Sequence, residues 1–156
     1  MRRSRVGGLV LVLATAGCDS IPAPGGLPGW NVGQTQQVGV CEVQLRRLGY
    51  YHSTSWNMEV EVEMRNLSDD DQRCAWSAQL VSATKKPMTE SVGEGRTMTP
   101  GEVADIQRLA REKDLTGFSG RPSEGDWVLL VVTQGQPVIG DESKFHATPE
   151  RLRPPN

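Results

Sequence analysis

Between Asn57 and Asn66 the chain alternates apolar and charged side chains without a break. Met58, Val60, Val62 and Met64 fall on one phase, and Glu59, Glu61, Glu63 and Arg65 on the other. Strict alternation over eight residues marks a strand with one face buried and one in water, as in an antiparallel sheet. The register is equally constrained, because a one-residue slip would turn three carboxylates into the core. Burying even one unpaired carboxylate costs several kcal/mol, more than a domain of ordinary stability can readily absorb.

The same period recurs on both sides of this strand. Val38 and Val40 lead into Cys41, Val43 and Leu45, which alternate with Glu42, Gln44 and Arg46. The stretch NLSDDDQ supplies turn chemistry, after which Cys74, Trp76, Ala78 and Leu80 resume the alternation. Lys85, Lys86 and Pro87 form another turn, and Glu90 to Thr97, with two glycines, reads as a short or irregular strand. Beyond the Thr99–Glu102 turn, Val103 to Leu109 alternates imperfectly, and a short helix is an open alternative there because LAREKDL suits helix propensity. Trp127 to Thr133 is continuously apolar and β-branched, as expected of a central strand covered on both faces. Lys144 to Thr148 offers a last strand before a polar, Pro-rich tail.

About seven short strands with turns every eight to twelve residues predict an all-β fold, an immunoglobulin-like antiparallel β-sandwich. The expected centre is Val60, Val62, Trp76, Leu80, Leu129 and Val131, with Glu59, Glu61 and Glu63 outside. Cys74-x-Trp76 is similar to a motif of antibody domains, but the 33-residue cysteine spacing is not theirs. The expectation is of the architecture, not of membership in that family.

The N-terminus has a different grammar. Arg2, Arg3 and Arg5 precede an apolar run from Val6 to Ala16 that is too short to span a bilayer, and Thr15, Ala16 and Gly17 lead into Cys18. This is the layout of a secretory signal. Ending on Ala16-Gly17-Cys18, it resembles the lipobox of bacterial lipoproteins, although Thr15 stands where that family prefers Leu. The resemblance implies cleavage before Cys18 and acylation of its sulfur and new N-terminus. Composition and layout also resemble small lipid-anchored β-sandwich domains of bacterial envelopes. The expected organisation is then a signal peptide at 1–17, a lipidated Cys and flexible tether at 18–37, the sandwich at 38–150 and a tail at 151–156. The tether expectation comes from its Pro, Gly and Gln content, which cannot offset its own ordering entropy. Trp30 is the exception, expected to dock on the domain or to sit among lipid headgroups.

Charge and cysteines narrow the function. Without Arg2, Arg3 and Arg5 the 17 basic side chains fall to 14 against 19 acidic, a net charge of −5. An acidic, unclustered balance argues against nucleic acid and against electrostatic attraction to anionic lipid. The membrane would be reached through acyl chains, of which at least two are needed for stable anchoring. With Cys18 acylated, Cys41 and Cys74 remain as an even pair in an oxidising compartment, both on the apolar phase of their strands. A disulfide between them would close a loop of about 34 residues, on the order of 3–4 kcal/mol of stability.

No constellation in the sequence carries chemistry strongly, and neither a cofactor, a metal nor a catalytic residue is expected. Asp69, Asp70 and Asp71 read as a solvated turn because nothing supplies the glycine and distant bidentate Glu of a calcium loop. Asp141 and Glu142 read the same way. Glu59, Glu61 and Glu63 have the spacing of paired catalytic carboxylates, but a charged outer face with Arg46 or Arg47 opposite is the better reading. His52, in a loop with Tyr50, Tyr51 and Ser53, and His146 lack companion ligands or nucleophile signatures. The segment Leu115–Trp127 is the best binding candidate, with Phe118, Arg121 and Trp127 as interface-type residues. A fold-back of Phe118 into the core competes with that role. Two function classes follow. One is a lipid-anchored, noncatalytic interaction module of the bacterial envelope that contacts other envelope proteins, inner or outer membrane being open. The other is a small envelope hydrolase or carbohydrate-binding domain.

Overall fold

The computed structural model describes residues 24–52, 56–111, 125–135 and 142–151, with the side chains of Tyr51, His52, Trp56, Arg111, Glu150 and Arg151 left aside. After a 3-10 turn at Pro24–Gly26 come β1 (Thr35–Val38), β2 (Cys41–His52), β3 (Trp56–Asn66), β4 (Gln72–Val81) and β5 (Val92–Met98). They are followed by β6 (Val103–Arg111), β7 (Trp127–Gln134), β8 (Glu142–Ala147) and β9 (Glu150–Arg151). One sheet has the order β1-β2-β3-β6, with β9 added to β2 in parallel, and the other has the order β5-β4-β7-β8. Strands β2 to β8 form the expected antiparallel sandwich of immunoglobulin-like kind, three strands facing four. The chain changes sheets between β3 and β4, β5 and β6, β6 and β7, and β8 and β9.

β3 has the phase its sequence demands. Met58, Val60, Val62 and Met64 are all buried, and Val62 lies between Leu45 of β2 and Ile106 of β6. Each such aliphatic side chain contributes about 1.5–3 kcal/mol on full burial. On β2 the pairing slips between Leu45 and Arg47, so Arg46 is an extra residue in a bulge. The slip turns Arg46 and Arg47 outward together and keeps Leu48 and Tyr50 inward in step with Cys41, Val43 and Leu45.

β7 corrects the expected core. Val128, Leu130 and Val132 face inward opposite Leu80, Ala78 and Trp76, whereas Leu129 and Val131 are half-buried on the outer face. A run that is apolar at every position carries no phase of its own, so pairing with β4 decides it. β6 is a strand from Val103 to Arg111, so the first three residues of LAREKDL are extended and not helical, and the other four lie outside the described residues. Its alternation is imperfect because Arg108 lies on the inward phase at the sandwich margin, where it pairs with Glu94 of β5. Arg96 of β5 reaches Glu102 at 2.8 Å in the same way. Together the two ion pairs link the neighbouring edges of the sheets, and β5, which its two glycines made read as short or irregular, is a strand from Val92 to Met98.

The boundary expected at residue 38 also moves. Gly29 bridges His146 of β8 in parallel, Trp30 N donates to His146 O at 2.8 Å, and His146 N donates to Pro28 O at 3.0 Å. Trp30 is 1% exposed, its ring edge-on to Phe145 at 5.1 Å, and its indole N–H donates to Gln34 O. The segment then crosses to the other sheet, where Gly33 N donates to Leu45 O and β1 pairs with β2. Much of the expected tether is therefore a strap across the sandwich. Trp30 docks because burying its ring and satisfying its N–H together outweigh the ordering cost that composition alone foretells. Gly39 makes the β1–β2 turn with φ +58°, and an added Cβ would fall 1.4 Å from Gln134 Oε1, which accepts the Val40 N–H. At the other end, β9 takes Arg151 into the fold.

Cys41 and Cys74 form the expected disulfide, with Cα atoms 5.7 Å apart. It joins β2 of one sheet to β4 of the other, both cysteines being buried.

Candidate functional site

The two outer faces of the sandwich differ in kind. On the β2-β3-β6 face the acidic row of β3 meets the basic partners expected for it. Arg46 pairs with Glu63, Arg47 Nε lies 3.5 Å from Glu59, and Arg65 stands 4.0 Å from both Glu42 and Glu63. The hydrogen bond to Glu63 raises the pKa of the Arg46 guanidinium further above its ordinary value. Glu59 departs from expectation: it points outward yet is 6% exposed, and Gln107 Nε2 donates to its Oε1 at 2.5 Å. An amide and a guanidinium satisfy this buried carboxylate, which is the condition under which one is tolerated. Glu59 and Glu63 are thus committed to structural pairs.

The β5-β4-β7-β8 face carries little charge. Cross-strand pairing sets Gly95, Ala75, Thr133 and Glu142 in one row and Gly93, Ser77, Val131 and Lys144 in the next. Glycine is required at position 93, and a side chain at position 95 would be tight. A Cβ on Gly93 would lie 2.0 Å from Trp76 O, and one on Gly95 would lie 3.1 Å from both Ala75 Cβ and Arg73 Nη2. The guanidinium of Arg73, opposite Thr97, therefore rests over the gap at Gly95. Its Nε is buried without a hydrogen-bond partner, and no carboxylate among the described residues pairs with it. At the rim, Lys144 and Glu142 pair at 3.2 Å. His146 places Nδ1 2.8 Å from Leu27 O, which fixes its ring against the strap.

Cys18, Phe118, Arg121 and Asp141 lie outside the described residues. Trp127 is described, and it corrects the expectation of a surface anchor: it is 3% exposed at the start of β7. His52 ends β2 instead of lying in a loop. Asp69, Asp70 and Asp71 are exposed in a turn built on buried Asn66, whose Nδ2 donates to Asp70 O and Met98 O. Its Oδ1 accepts the Ser68 N–H and hydroxyl. Among the described residues, no three His, Cys, Asp or Glu side chains are grouped to hold a metal ion. No described helix is long and apolar enough to cross a membrane. Neither the lone Arg73 nor the buried Asn66 stands out in the sequence pattern. The one trace of the first was the pair of glycines in β5.

No protein-family model matches the chain, and no curated protein matches it. Among solved structures the fold is similar to part of a β-glucuronidase of glycoside hydrolase family 2, at 11% identity and TM-score 0.42. That match covers 68% of this chain and 11% of the enzyme. A β-glucuronidase from Bacteroides uniformis is matched at 10% identity and TM-score 0.43 over 77% of this chain and 14% of that one. A β-glucosidase from Listeria innocua is matched at 15% identity and TM-score 0.40 over 78% and 18%. The chain spans less than a fifth of each of these enzymes, and at such scores the likeness bears on no function.

Proposed function

We infer that this is a lipid-anchored domain of the bacterial envelope that works by binding another protein and not by catalysis. The observation that carries the second half is the engagement of the acidic row, where Arg46, Arg47 and Gln107 hold Glu63 and Glu59 in structural pairs. A general acid or base needs a carboxyl whose proton affinity is poised for the reaction and whose lone pairs face a substrate. The anchor rests on Ala16-Gly17-Cys18 after a short apolar run. Six peptide steps separate Cys18 from Pro24, at most about 20 Å of extended chain, so an acylated Cys18 holds the sandwich close to the bilayer.

Two measurements test this. A fatty-acid analogue fed to cells should label the wild type and not Cys18→Ser, and equal labelling would refute the anchor. Affinity purification from native membranes should return a stoichiometric envelope protein. Retention on cell-wall polysaccharide with no such protein would favour the carbohydrate-binding alternative.

A further inference from the structure

The outer faces of the two sheets solve the problem of charge in opposite ways, and that asymmetry points to one of them. On the β2-β3-β6 face each arginine whose side chain is described has a carboxylate within ion-pair distance. On the β5-β4-β7-β8 face Arg73 has none, and its Nε is shielded from water without a hydrogen bond in return. A guanidinium donor shielded from water and left unmet costs the folded state free energy, so it persists where something offsets it. Around it the side chains are small and uncharged. Gly95 and Ala75 leave room at the guanidinium, and Ser77, Val131 and Leu129 continue the face toward the middle of the sheet.

We propose that the outer face of the β5-β4-β7-β8 sheet is the docking surface for a protein partner that presents a carboxylate to Arg73 and apolar side chains to Val131 and Leu129. It rests on the protein-binding reading above and adds the surface and the chemistry of the partner. A carboxylate fits because guanidinium and carboxylate pair through parallel hydrogen bonds, and since Nε is closed to solvent the pair would use the terminal Nη groups. Gly95 belongs to the same device, since a Cβ there would press on both Ala75 Cβ and the guanidinium at 3.1 Å.

The test is site-specific photo-crosslinking of the full-length chain in its native cells. Benzoylphenylalanine is placed at exposed Thr97, opposite Arg73, or at exposed Thr35 on the other sheet as a control. The expected result is an adduct from Thr97, and none from Thr35, to an envelope protein whose crosslinked peptide contains Asp or Glu. Arg73→Glu should cut its yield at least tenfold, and exchanging the partner's carboxylate for Arg should restore it in that background. Arg73→Gln gives up no ion pair, so its melting temperature should stay within about 3 °C of the wild type. A larger fall would make Arg73 a structural residue and overturn the assignment. So would the absence of a Thr97 adduct, an undiminished adduct in Arg73→Glu, or an adduct to the chain's own loop or to a second copy. A protein adduct from Thr35 alone would sink this surface and leave the protein-binding reading standing. No protein adduct from either site, with retention on cell-wall polysaccharide, would sink both.

Discussion

Removing the Cys41–Cys74 bridge should cost the domain much of its stability. The bridged residues are 33 apart in sequence. For a loop of that size the chain-entropy relation gives about −12.5 cal/mol/K for the unfolded chain, or about 3.7 kcal/mol at 25 °C. For a domain of roughly 120 residues the unfolding entropy is about 250 cal/mol/K, so the melting temperature should fall by about 15 °C. Both cysteines are at most 1% exposed, so a reductant gains access only when the sandwich opens. The assay is therefore urea and thermal unfolding of the wild type, of protein refolded in reductant, and of Cys41→Ala/Cys74→Ala. The alanine variant should lose somewhat more than the reduced protein, because it also gives up the packing of two buried sulfurs. A loss below about 1 kcal/mol in the reduced protein would refute the loop-entropy reasoning. A free thiol at Cys41 or Cys74 in unreduced, denatured protein would refute the bridge itself.

Val62→Asp puts an unpaired carboxylate between Leu45 and Ile106 and should unfold the domain, whereas Glu61→Lys should be tolerated within about half a kcal/mol; the opposite order in denaturation midpoints would overturn the register argument. Trp30→Ala should cost about 3–5 kcal/mol and release the strap, read as fast hydrogen exchange at the His146 amide, which donates to Pro28 O. Unchanged protection there would mean that the strap holds without its indole. Hydrogen bonding from the Thr99 N–H, then from its hydroxyl, and the charge of Arg96 hold the Glu102 carboxyl below its ordinary value against some desolvation. A lowered folded pKa means that this contribution is present above the ordinary glutamate range and is lost as pH falls through the lower value. The Thr99 amide resonance should titrate with a midpoint below about 4.3, and a midpoint at or above that value would refute the assignment.

Sequence alone determined those features in which chemistry changes at every second residue. β3 carries a charge on each outward position from Glu59 to Arg65, so its phase has one affordable solution, and β4 follows the same logic from Cys74 to Leu80. The disulfide was legible because both cysteines lie on the inward phase of such strands, and Arg46 and Arg47 were legible as partners for the acidic row because like charges in one row require opposite ones beside it. Tertiary structure decided wherever the local pattern was silent about its neighbour. β7 is apolar throughout, and only its pairing with β4 chose Val128, Leu130 and Val132 over Leu129 and Val131 for the core. The bulge at Arg46, the burial of Glu59 against Gln107 and the solitary Arg73 over Gly95 all depend on which strand lies alongside, a fact that no run of consecutive residues contains. The strap shows the same limit most plainly. Pro, Gly and Gln around Trp30 describe a chain that cannot order itself, and it is ordered because β8, Phe145 and β2 lie where the folded sandwich puts them.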